Sequence, residues 1–163
     1  MTENKKRLLI DTSVMRGIFD DDTPDTKACT GRFWDKCRTG AYELFVCIVF
    51  DEEMKNAPRE QTEPIEDIVK ELGIERLPRN KDAEQLANDY KGKPLKTAMG
   101  DRRHLAYATE YECDTVVSWN MKDIVNADTY RGINGVNMGK GKKTITVETP
   151  AMLLGEEEPE WLP

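Results

Sequence analysis

Three apolar runs in this chain end against carboxylates. Arg7-Leu-Leu-Ile10 stops at Asp11, the β-branched and aromatic stretch 42–49 is followed by Asp51-Glu52-Glu53, and Thr115-Val-Val-Ser118 is followed by Asp123. A fourth acid, Asp101, opens an amphipathic run, 100–111, that leads into the last of these stretches. If the runs are buried parallel strands, acids just behind them share the carboxyl edge of one sheet, where α/β proteins keep their sites. A helix leading into a strand runs antiparallel to it, so Asp101 in its first turn belongs to the same edge. Carboxylates gathered there repel, and loss of solvent worsens the repulsion. The cluster then needs a proton or a cation, and deleting one charge should relieve it. Hard oxygen donors suit Mg²⁺ or Mn²⁺. Such an ion activates water and compensates charge on a phosphate. Asp11, Glu53, Asp101 and Asp123 are therefore the candidate metal ligands and catalytic residues.

Each acid also has an ordinary reading. Asp11 can cap the helix that follows it, and the 51–53 run can be a solvated face. Asp101 can complement a helix dipole, and Asp123 can be a surface acid. Their common edge is what joins them. Glu53 is chosen over Glu52 because it lies one turn past Val49, a core position. Glu52, about 100° further round, is expected to face solvent. Thr12 and Ser13 offer hydroxyls either to a metal shell or to a helix cap. His104, three residues after Asp101 and on the same helix face, is either a partner for a carboxylate or phosphate or a structural histidine. Asn120 either orients Asp123 or a water, or shapes a turn. Lysines 91, 93, 96, 140, 142 and 143, with Arg102 and Arg103, are candidates for phosphate contact or for plain surface solvation.

The elements that must position these groups alternate. Strands are expected over 7–10, 42–49, 74–77, 115–118 and 144–147. Helices are expected from Thr12 or Ser13 to Phe19, over 24–37, 50–57, 63–72, 81–90 and 100–111, with a helical turn over 121–125. Residues 20–24, 91–94 and the Gly/Asn/Lys-rich 132–142 read as turn or loop. The fold class is α/β, a three-layer sandwich around a mainly parallel central sheet. The 163 residues make one domain over 1–154 and an acidic tail over 155–163.

With 24 Lys and Arg against 31 Asp and Glu, the formal charge is −7, which excludes a uniformly basic nucleic-acid coat. Cys29, Cys37, Cys47 and Cys113 form no C-x-x-C pair, and His104 is the single histidine, so a zinc site is not expected. Free thiols in a reducing compartment, no membrane span and no signal core point to the cytoplasm.

Five segments resemble the motifs of PIN-domain ribonucleases. They are Leu8-Leu-Ile-Asp-Thr-Ser13; Cys47-Ile-Val-Phe-Asp-Glu-Glu53; Asp101-Arg-Arg-His-Leu-Ala106; Val117-Ser-Trp-Asn-Met-Lys-Asp123; and the closing stretch, Ile133-Asn-Gly-Val-Asn137 with Ile145-Thr-Val-Glu-Thr-Pro150. Cys47 stands where that family commonly has Ser, and Ile124 where Phe is common; neither departure removes an acid. The resemblance implies a Mg²⁺- or Mn²⁺-dependent endoribonuclease, commonly the VapC-type toxin of a toxin–antitoxin pair, with a small antitoxin as partner and self-association as a homodimer. The alternatives are a non-catalytic PIN-like module that binds RNA or protein, and a housekeeping RNA-processing nuclease. A phosphotransfer domain of the haloacid-dehalogenase type would need a second Asp in Asp11-Thr-Ser13. A receiver domain would need an acidic neighbour for Asp11.

Overall fold

Successive residues of the apolar runs go to opposite faces of one sheet. Leu8 and Ile10 pack on one side and Leu9 on the other; Leu44 and Val46 oppose Phe45, and Val117 opposes Val116. The computed structural model describes residues 5–19, 23–90, 99–122 and 124–155. The expected 91–94 loop, the acidic run from 156 on, Asp123 and most of the 20–24 turn lie outside them.

In chain order the elements are β1 (Lys6–Ile10), α1 (Thr12–Met15) continued by a 3-10 turn (Arg16–Phe19), α2 (Pro24–Arg38), β2 (Tyr42–Val46), α3 (Ile48–Met54), α4 (Arg59–Leu72), β3 (Glu75–Arg76), α5 (Lys81–Asp89), α6 (Met99–Glu110), β4 (Thr115–Val117), α7 (Ala127–Gly139), β5 (Thr146–Glu148) and α8 (Pro150–Leu154). The strands form a five-stranded sheet in the order β3-β2-β1-β4-β5, with every pair parallel. One core lies between the sheet and α5, α6 and α7; the other lies between the sheet and α1, α2, α4 and α8. This is the expected three-layer α/β sandwich.

Three local expectations are corrected. The second strand ends at Val46 rather than 49. Cys47 is extended (φ −102°, ψ 176°) as the N-cap, and Ile48 and Val49 already belong to α3. β-branched residues favour strands only while a neighbouring strand pairs with them, and β3 pairs no further than Val46. The Gly/Asn-rich stretch 132–142, expected as loop, is mostly α7. Its asparagines are structural: Asn126 caps it by accepting from the Thr129 amide at 2.8 Å. Asn134 takes both backbone groups of Ile145, at 2.8 and 2.9 Å, and Asn137 accepts from the Tyr90 hydroxyl at 2.6 Å. The sequence reading placed no helix at 150–154, where Thr149 Oγ1 caps α8 by accepting from the Met152 amide at 3.1 Å. Elsewhere the boundaries shift by a few residues. α4 stops where expected because Gly73 takes the left-handed conformation (φ 60°) that closes a helix.

Candidate functional site

The strand order places β1 between β2 and β4, and the chain reverses its direction of winding between β1 and β4. A crevice forms at the carboxyl ends of strands at such a switch point. Asp11 follows β1 there, its amide donating to Val117 O of β4 at 3.0 Å. Ser118 and Asn120 follow β4 at the same place. α3 begins directly after β2, and α6 presents its first turn to this edge.

Asp11 stands at the N-cap of α1, yet its carboxylate makes no capping bond. Asp11 thus holds the N-cap position through its backbone carbonyl alone and its side chain is free of the capping role, while neither Thr12 nor Ser13 is the cap. Asp11 Oδ2 accepts from Ser13 Oγ at 2.8 Å and from Ser118 Oγ at 2.7 Å. The same two hydroxyls accept in turn from backbone: Ser13 Oγ from the Trp119 amide at 3.0 Å, Ser118 Oγ from the Asn120 amide at 2.9 Å. The carboxylate is thus fixed by a hydroxyl pair that ties α1 to the segment after β4. Thr12 is buried, and its Oγ1 has no hydrogen-bond partner among the described residues.

The other oxygen, Oδ1, lies 3.2 Å from His104 Nε2, and Glu53 Oε1 lies 3.8 Å from the same nitrogen. The ring N–H is not aligned for a hydrogen bond to either oxygen, so these are contacts of charge. On its far side Nδ1 is 3.4 Å from Cys47 Sγ. Burial opposes a charge on this imidazole. The Cys47 sulfur, the Asp11 carboxylate and Glu53 outweigh it, and the pKa is raised well above its ordinary value. His104 is fully buried rather than a half-exposed structural residue, and it joins the site directly.

Glu53 is exposed on α3 and faces this histidine, as the register chosen from Val49 requires. Glu52 does not simply face solvent. It accepts from Arg103 of α6 at 2.6 and 3.1 Å, and Arg103 Nε also lies 3.0 Å from Glu84 of α5. The Arg103 hydrogen bond is the largest influence on Glu52 and holds its pKa below the ordinary value. Asp101 takes a 3.4 Å hydrogen bond from Asn120 Nδ2. Asn120 thus holds Asp101; its expected partner Asp123 lies outside the described residues.

The described structure thus sets Asp11 and Glu53 within 3.2 and 3.8 Å of His104 Nε2 and pairs Asp101 with Asn120 along the same edge. Among the described residues, no three His, Cys, Asp or Glu side chains are grouped closely enough to hold an ion as they stand. Ser118 and Arg103 were not singled out for these roles. A serine closing a buried strand is a legible sign of the carboxyl edge, whereas Arg103 looks in sequence like any surface cation.

The basic residues divide by edge. Lys142 lies 2.6 Å from Glu110 and Lys143 2.7 Å from Asp114. These acids sit at the end of α6 and just before β4, at the amino edge, opposite the carboxylates. Lys140 pairs with Asp89 at 3.0 Å. With Arg103 also committed to acids, these four balance internal charge. Lysines 91, 93 and 96 lie outside the described residues.

Comparison with models of known protein families gives no match, and no curated protein is significantly similar to the chain in sequence.

Proposed function

We propose that the chain is a Mg²⁺- or Mn²⁺-dependent endoribonuclease that hydrolyses RNA phosphodiester bonds and acts as the toxin of a toxin–antitoxin pair. The observation that carries the nuclease reading is that Asp11 and Glu53 both face His104 at the carboxyl edge, with Asp11 held by hydroxyls that serve no helix cap and Asp101 held by Asn120 along the same edge. The donor chemistry fits a hard cation. Two carboxylates already face a common positive group, and the oxygens of Asp11 and Asp101 are oriented by hydroxyl and amide donors. Asp11, Glu53, Asp101 and Asp123 would hold the ion. When bound, it would activate the attacking water and compensate charge on the phosphate.

The chain's own residues prepare that step. Ser13 and Ser118 both bond Oδ2 of Asp11, so its Oδ1 is the oxygen turned to His104. Asn120 steadies Asp101. The Arg103–Glu52 pair anchors the turn of α3 that carries Glu53. The toxin role, the small antitoxin and the homodimer rest on the motif resemblance alone.

Purified protein should cut single-stranded RNA with Mg²⁺ or Mn²⁺, stop in EDTA, and lose activity in Asp101→Asn. Cleavage that continues unchanged in EDTA refutes the metal mechanism. Tight RNA binding without cleavage in either metal would favour the non-catalytic module. Co-expression with a small neighbouring reading frame tests the antitoxin, and sedimentation tests the dimer.

A further inference from the structure

Beside the acids, on the same edge, lies an open cleft of about 250 Å³ lined by Val125, Asn126, Ala127, Tyr130, Val147 and Met152. One wall of the cleft begins at Val125, a few residues along the chain from Asn120. The Val125 amide donates to Asn120 O at 3.0 Å, and Asn120 in turn holds Asp101. The walls are mostly aliphatic, and two of the few large apolar side chains left exposed among the described residues, Tyr130 and Met152, belong to it. Asn126 is committed to structure, accepting from Thr129 N and donating to Lys122 O at 2.7 Å. The cleft therefore offers a flat aromatic face and apolar contact rather than a set of directed polar groups.

Two exposed cations and one exposed acid, Asp128 in the first turn of α7, neighbour the cleft, so its surroundings are less acidic than the chain as a whole. Lys122 is exposed beside Asn126, and Arg131 is exposed next to Tyr130. Neither forms an ion pair with another described residue, unlike Arg103 and the lysines at the amino edge. An aromatic face with adjoining cations is the arrangement by which proteins hold single-stranded nucleic acid: the base stacks, and the phosphates meet positive charge. A base within a duplex is already stacked on both faces and is not available to such a cleft.

We propose that this cleft is a base-binding subsite for single-stranded RNA, in which a nucleobase stacks on Tyr130 while the strand passes the carboxylates. The proposal rests on the ribonuclease reading for the identity of the strand. Because stacking on an aromatic ring tolerates any base, the subsite selects unpaired RNA rather than a sequence.

Fluorescence anisotropy in EDTA, with labelled oligo(U) and oligo(A) of about 12 nucleotides and a duplex of the same length, tests it. Wild-type protein should bind both single strands and bind the duplex more weakly. Tyr130→Ala should bind the single strands about 5- to 150-fold more weakly, the span expected for losing one stacked base. Tyr130→Phe should bind as the wild type does, and Met152→Glu, which puts a negative charge in the cleft, should weaken binding. The proposal is overturned if the wild type binds no single strand, if the duplex binds equally well, or if Tyr130→Ala stays within about twofold of the wild type. The two readings separate in a parallel cleavage assay with Mg²⁺. Tyr130-dependent binding without cleavage sinks the nuclease and leaves the subsite, whereas metal-dependent cleavage with no dependence on Tyr130 sinks the subsite alone.

Discussion

Replacing Asp11 by Asn separates two accounts of the carboxylate edge. From sequence, Asp11 is one of several like charges, and its removal should leave the metal-free protein as stable or more stable. The structure reverses that expectation. Asp11 is 5% exposed, and its charge is already matched by two hydroxyl donors and by His104. An asparagine keeps the shape but makes the two hydroxyl bonds neutral. Each then loses about 1 kcal/mol, since charge-assisted bonds are roughly twice as strong as neutral ones. His104 loses its nearest counter-charge, adding about 1 kcal/mol. Relief of repulsion with Glu53 offsets little, because Glu53 has a side chain 44% exposed and water screens it. The balance is a destabilisation of about 2–3 kcal/mol, or a fall in Tm of roughly 4–12 °C for a chain of this size.

The assay is calorimetric melting of both proteins in EDTA at pH 7. The His104 contribution has a definite sign. Its folded pKa is raised, so its stabilisation is complete below the unfolded value and is lost as pH rises through the folded one. The gap between wild type and Asp11→Asn should therefore narrow toward high pH. An equal or higher Tm for the variant across the range would show that repulsion dominates this edge and that His104 does not balance Asp11.

Two further substitutions test the surroundings. Arg103→Met removes the cation between Glu52 and Glu84 from a side chain only 15% exposed; urea titration should show a loss of about 2–3 kcal/mol, below the range for fully buried pairs. Because the folded pKa of Glu52 is depressed, its share of that stability is present above the unfolded value and disappears on acidification through the folded one, so the two proteins should converge in acid. Gly17→Ala would set a methyl 2.5 Å from Thr30 Oγ1 and 2.8 Å from its Cγ2. Thr30 cannot turn aside cheaply, because Oγ1 donates to Thr26 O at 2.7 Å and accepts from Trp119 Nε1 at 2.9 Å. A loss of about 1–3 kcal/mol by the same titration is expected, and an unchanged midpoint would refute the clash.

The strands, their order of appearance and the layered class were legible because apolar runs of strand length alternated with 3.6-residue periodicity, and both patterns answer to burial alone. The carboxyl edge was legible for a related reason: a residue just past a buried parallel strand has few other places to be. Asp11 and Glu53 could thus be placed at that edge because they follow strands, and Asp101 because it opens the helix that leads back into β4. Sequence could not settle what each group touches. Asp11 and Ser118 are 107 residues apart and meet only because β1 and β4 pair, which also decides that the Asp11 carboxylate is held by hydroxyls rather than capping α1. Asn120 pairs with Asp101 because α6 lies across the end of β4. The asparagines of α7 looked like loop formers until Ile145 and Tyr90 were there to use their side chains. Local pattern fixes the period and the buried face of each element, whereas hydrogen-bond partners and charge balance depend on which elements are neighbours, and that is settled only when the chain is packed.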